Sequence, residues 1–153
     1  MTKLFFLCAV ALAGIACTDT AQKETERKDG FTPVLRTKED SLYHAVIEGH
    51  DVGMAKMGIL GRYTARVQAK LDSMSKQPKG VDSEYHKQLV DLRKDLQQAR
   101  QGMNAWMDSF SADSATGNED LRIQYLESER VKVNLVRDKI LLSLQKADSL
   151  FAR

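Results

Sequence analysis

Cysteine and proline are the scarcest structural punctuation in this chain. Cysteine occurs twice, as Cys8 and Cys17. Cys8 lies inside an apolar N-terminal run that reads as a discarded leader. If Cys17 carries a lipid, no thiol remains for a disulfide, and the fold must be held by its core alone. Proline also occurs twice, as Pro33 and Pro78. Proline interrupts a helix by removing a backbone donor, so the long stretches on either side of Pro78 are free to be helical. No sign of charge dominates. The chain has 23 Lys and Arg against 21 Asp and Glu, a net charge of +2, and the two signs are interspersed. That excludes the basic footprint by which proteins hold nucleic acid. Catalytic signatures are missing as well. There is no G-x-S-x-G elbow, no Gly-rich phosphate loop and no H-E-x-x-H zinc motif. The expectation is therefore a protein that is not an enzyme.

What is present begins with a targeting segment. Lys3 is a minimal positive region, and Leu4–Ala16 is an apolar run. It is shorter than the roughly 20 residues that a helix needs to span a bilayer. The run ends Ala13-Gly14-Ile15-Ala16-Cys17. Small residues before a Cys resemble a bacterial lipobox, although Gly14 stands where Leu is usual. Residues 1–17 are thus expected to be a lipoprotein signal peptide, with Cys17 the lipidated residue. The alternative is an ordinary signal peptide cut near Ala16. Several acyl chains on one residue give a stable anchor where one is marginal. The expected location is the bacterial cell envelope, lipid-anchored, the outer membrane before the inner. Residues 18–38 are polar and lack apolar periodicity, the composition of a flexible tether. Phe31, Val34 and Leu35 are the residues in it that could dock onto the domain.

Three long helical patterns follow and define a domain over 39–152. The first runs from about Glu39 to Ser75 behind Thr37-Lys38-Glu39-Asp40, which resembles a capping box. Its seam is Tyr43, Val46, His50, Gly53, Met57, Leu60, Thr64, Val67, Leu71 and Met74, with spacings of 3 and 4 that make a heptad pattern. Gln77-Pro78-Lys79-Gly80 carries stop signals. The second pattern runs from about Ser83 to Phe110, capped by Asp82 or Ser83. Its seam is Tyr85, Leu89, Leu92, Leu96, Ala99, Met103, Trp106 and Phe110. Residues 111–118 are small and polar, a connecting loop. The third pattern runs from about Glu119 to Ala152. Its stripe is Leu121, Tyr125, Leu126, Glu129, Val133, Val136, Ile140, Leu144, Ala147 and Leu150. Short connections between long helices imply antiparallel neighbours. The expected fold is all-α: three long antiparallel helices in an up-down-up, coiled-coil-like bundle. Residual apolar surface leaves room for a second copy of the chain.

The least ordinary stretch is His50–Gly58. Helices turning about residues 79 and 114 place His50 near 108, Met54 near 104, Met57 near 101, and Met103 near 125. One end of the bundle then gathers His50, Met54, Met57, Met103, Trp106, Met107, Tyr125 and Glu129. Two readings compete. In the first the cluster is packing. Gly49, Gly53, Gly58 and Gly61 each cost about 1 kcal/mol relative to Ala in a helix, and the adaptable Met side chains fill the space they leave. Trp106 lies over the glycines, and His50 bonds a carboxylate such as Glu129. In the second the cluster holds Cu(I). Thioether and imidazole suit that ion. His50, Met54 and Met57 share one helix face, Met103 and Met107 repeat the spacing on the facing helix, and Trp106 caps the ion through its ring. A haem held by His50 and a Met is a weaker variant, since there is no C-x-x-C-H motif. His44 and His86 lie off the seams.

Three motifs stand in order: His50-Asp51-x-x-Met54-x-x-Met57-Gly58, Met103-x-x-Trp106-Met107-x-x-Phe110, and Tyr125-Leu126-x-x-Glu129-x-x-Lys132-Val133. Together, over about residues 40–151, they make the chain resemble small bacterial envelope lipoproteins labelled viral A-type inclusion protein repeat-like. That label reflects coiled-coil composition. The resemblance implies a lipidated helical bundle in a Gram-negative envelope and supplies neither an activity nor a ligand. The functional expectation is a membrane-anchored, non-enzymatic structural or interaction module. Its partners would be the membrane through its lipid and an envelope protein or a second copy. The alternative is a Cu(I)-binding protein facing the periplasm.

Overall fold

The computed structural model describes residues 35–76 and 82–152. The expected leader with Cys17, the expected tether up to Val34 and the segment 77–81 with Pro78 and Gly80 lie outside the described residues. Helix α1 spans Lys38–Lys76, α2 spans Ser83–Ser109 and α3 spans Glu119–Phe151. Their 39, 27 and 33 residues correspond to roughly 58, 40 and 50 Å at 1.5 Å per residue. Leu35, just before α1, is 46% exposed.

The caps explain where the helices start. Ahead of α1, Thr37 Oγ1 accepts from the Asp40 N–H at 3.0 Å. The Asp40 carboxylate accepts in return from the Thr37 N–H at 3.1 Å and the Arg36 N–H at 3.2 Å. This is a complete capping box in which Asp does the work usual for Glu. Bonding with Thr37 first, then with the Arg36 amide, holds the Asp40 carboxyl below its ordinary pKa. Asp82 caps α2 by accepting from the amides of Glu84 and Tyr85 at 2.9 and 3.2 Å. Asn118 caps α3 by accepting from the Leu121 amide at 3.1 Å.

Side-chain pairs give the topology. Along α1 and α3 the partners ascend together: Glu39 with Arg122, Gly49 with Val133, Gly53 with Ile140, Tyr63 with Asp148. These two helices are parallel. Against α2 the order reverses. His50 meets Met107, Gly53 meets Met103, Gly61 meets Arg100 and Gln68 meets Arg93. The bundle is therefore all-α and up-down-up.

The core repeats every seven residues on each helix. Val46, Leu60 and Val67 on α1, Leu89, Leu96 and Met103 on α2, and Leu126, Val133 and Ile140 on α3 are fully buried. Gly53 occupies the missing heptad position of α1 and is buried too. A strict period of seven makes straight helices supercoil so that the seam stays inside. Each fully buried aliphatic side chain contributes about 1.5–3 kcal/mol.

Two expectations need correction. The sequence pattern puts Met103 level with Tyr125. In the structure Phe110 stacks on Tyr125, Trp106 reaches Glu129 and Gly102 packs on Val136. Residues 110–118 do not reverse directly. The loop folds back on the first turns of α3, with Ser111 N–H bonded to the Tyr125 hydroxyl at 2.8 Å and Arg122 Nη1 to the Ser114 carbonyl at 2.9 Å. These turns overhang the end of α2. The overhang also explains the second difference. Leu121, expected in the stripe, is 54% exposed, while Arg122 is buried. At that level the inward position meets the loop carbonyl and Glu39, whose carboxylate Arg122 binds at 2.9 Å, rather than apolar side chains. No helix among the described residues is long and apolar enough to cross a membrane.

Candidate functional site

The site begins with two glycines on α1. A Cβ at Gly53 would lie 2.4 Å from the Met103 methyl, and one at Gly49 would lie 2.8 Å from Asn134 Oδ1 and 3.0 Å from Val133 Cγ1. Both positions let α2 and α3 side chains touch the α1 backbone. The ring of Trp106 is not what covers them. Met103, Val133 and Asn134 do that, and a Cβ at Gly61 would lie 2.7 Å from the Arg100 guanidinium. Gly58 faces open space, with only Arg62 Nη1 at 3.9 Å, and nothing in the structure requires glycine there.

Trp106, on α2 one turn beyond Met103, is buried. Its indole Nε1–H donates to Glu129 Oε2 at 2.9 Å, and Lys132 Nζ donates to Glu129 Oε1 at 2.7 Å. A buried carboxylate is tolerable when both oxygens are bonded in this way. The carboxylate in turn raises the pKa of Lys132, first through their hydrogen bond and then through charge. Among the described residues no buried side-chain polar atom lacks a partner. The expected bond between His50 and Glu129 does not form, because the indole takes the carboxylate.

His50 turns to α2 instead. Its Nδ1 lies 2.9 Å from Asp51 Oδ1 and its Nε2 lies 3.4 Å from Met107 Sδ. The imidazole is 25% exposed. Its ring centroid is 5.7 Å from that of Trp106, tilted by 39°. Trp106 stacks on Phe110 at 4.9 Å, and Phe110 on Tyr125 at 6.2 Å. Four rings thus form a ladder from α1 through α2 to α3, fixed at the indole by Glu129.

The six residues expected to form a metal site have three different environments. His50 and Met107 are in contact, with Trp106 beside them. Met54 and Met107 are each 37% exposed. Met103 is fully buried with its methyl on Gly53, and Met57 is half-buried against the core. Sequence reasoning named Asp51 in its first motif but gave it no role, and it missed the partnership of Trp106 with Glu129. Twenty-three positions separate those two residues, and only the register of α2 on α3 brings them together.

Two open grooves lie elsewhere among the described residues. One of about 630 Å³ is lined by Arg66, Lys70, Tyr85 and Phe151, and one of about 480 Å³ by Leu92, Asp95, Leu142 and Lys146. No family model, curated protein or solved structure matches the chain.

Proposed function

We propose that this chain is a lipid-anchored protein of the bacterial cell envelope whose helical rod acts as a non-enzymatic structural and interaction module. The Ala16–Cys17 junction, the polar stretch 18–38 and the three ordered motifs support the anchor and the location. The observation that carries the interaction role is on α3. Val131, Leu135 and Leu142 are 56, 58 and 53% exposed and lie on the face opposite the core. They recur with 4- and 7-residue spacing, the pattern of a second helical seam.

A second copy of the chain is the partner that fits this apolar row: Val131, Leu135 and Leu142 would meet their counterparts on the copy as one helical seam meets another.

Two measurements test this reading. Wild-type cells labelled with radioactive palmitate should place label on the chain, and Cys17→Ala should abolish it. An unlabelled wild type would overturn the anchor. Sedimentation of the full chain in detergent should give a dimer that Leu135→Lys converts to a monomer of unchanged helicity. A wild-type monomer would overturn the self-pairing.

A further inference from the structure

We propose that His50 and Met107, joined by Met54, form a site for a single Cu(I) ion, with Trp106 as its aromatic wall. The inference goes beyond the anchored-module reading and does not depend on it. It starts from a mismatch of hydrogen-bonding roles. Asp51, as a carboxylate, only accepts, so the 2.9 Å contact to His50 Nδ1 requires a proton on Nδ1. In a neutral imidazole the lone pair is then on Nε2. That lone pair faces Met107 Sδ at 3.4 Å, and a thioether sulfur is itself an electron-pair donor with no proton to offer. In that tautomer two electron-pair donors face each other across 3.4 Å, an arrangement that a cation completes.

The separation suits a metal. Bonds from a metal to imidazole nitrogen and to sulfur are about 2.0 and 2.3 Å at zinc, so donors 3.4 Å apart are close enough for one ion to touch both. Asp51 behind the ring is the carboxylate that ordinarily fixes the tautomer of a metal-binding His, and its charge balances a monovalent ion. Met54 lies one helical turn from His50, on the same face, and its 37% exposure leaves it free to swing onto the ion. Trp106 gives its edge to Glu129 and keeps a ring face near His50, where a cation is attracted to the π-system.

The donor types select the ion. Thioether sulfur is soft and favours Cu(I). Among the described residues no group of three or more His, Cys, Asp or Glu could hold a metal, so a hard dication lacks ligands here. The set is narrower than the sequence pattern implies. Met103 is committed to the core over Gly53, and Met57 packs on the core from α1.

The test is a titration of the full chain with Cu(I) under reducing conditions, against a chromophoric Cu(I) chelator. Trp106 is the single Trp of the chain, so its fluorescence reports the site alone. Quenching should saturate at one equivalent. His50→Gln and Met107→Leu should abolish it, and Asp51→Asn should weaken binding about tenfold. Met57→Leu should change nothing. Circular dichroism shows whether each variant keeps its helices. Amide and imidazole NMR shifts with Ag(I), a redox-inert probe, give a second readout. Retention of all Cu(I) by the chelator, or quenching that survives Met107→Leu in a folded protein, would overturn the site.

Discussion

The two halves of the bundle are built from the same heptad but filled by different means. In the half around Leu60, Val67, Leu89 and Leu96 the fully buried side chains are all aliphatic. Such side chains need only density and a rotamer that fits. In the half around His50 two glycines, a methionine, a tryptophan and a carboxylate share the interior with Val46, Leu126 and Val133. There the Trp106–Glu129–Lys132 hydrogen bonds and the Gly53–Met103 approach add to the aliphatic packing. A buried polar group is costly unless its partner is in place. The His50 half is therefore the more demanding in geometry and the less tolerant of substitution, and it leaves the donor atoms of His50 and Met107 near the surface.

The largest effect should come from Trp106→Ala. It removes a buried ring and leaves Glu129 with one partner fewer, for a loss of about 3–5 kcal/mol, readable by urea denaturation followed by circular dichroism. Leu89→Ala in the other half supplies the comparison, within the wide range of about 2–5 kcal/mol for such deletions. A loss from Trp106→Ala well below that from Leu89→Ala would show that the indole is not structural. Glu129→Leu should come next. It leaves the indole N–H buried without an acceptor, at about 1–3 kcal/mol, and equal stability of variant and wild type would count against the network.

Two glycine substitutions sharpen the contrast between close approach and open space. Gly53→Ala gains about 1 kcal/mol of helix propensity but sets a Cβ against the Met103 methyl. That methyl is the flexible end of Met103, but the side chain is fully buried, so overpacking of about 1–3 kcal/mol cancels the gain or exceeds it. Gly58→Ala gains the propensity with nothing in the way and should raise stability by about 0.5–1 kcal/mol. If both variants moved in the same direction, the close approach at Gly53 would not be what holds glycine there.

The smallest effect concerns acid. Thr37 and the Arg36 amide hold Asp40 below the usual carboxylate range, and the Lys38 ammonium, bonded at 2.8 Å, does the same for Glu127. A depressed folded pKa gives stability that is present above the unfolded value, about 4, and is lost as pH falls through the folded one. Both groups sit where α1 begins. Acid should therefore fray this end first, so that amides near Asp40 lose exchange protection while those near Leu60 and Ile140 keep theirs. Uniform loss along the rod would contradict this order. Lys132 behaves oppositely. Its raised pKa gives stability present below its unfolded value and lost only as strongly alkaline pH passes the folded one.

Much of this was legible in one dimension. The seven-residue spacing of Leu89, Leu96 and Met103, the Thr37–Asp40 box and the polar loop before Glu119 determine three helices and their limits, because these are local properties of backbone and side-chain period. The level of His50 against Met107 followed from the short first connection. What sequence alone could not place was the level of α2 on α3. That depends on how residues 110–118 fold back against Tyr125 and Arg122, which only tertiary contact decides. From that register come the partnership of Trp106 with Glu129, the burial of Arg122 in place of Leu121, and the release of His50 toward Asp51 and Met107. Helix formation is a matter of period and caps. The choice of partner for each polar group waits until neighbouring helices are locked in height, and a shift of two turns changes every pair.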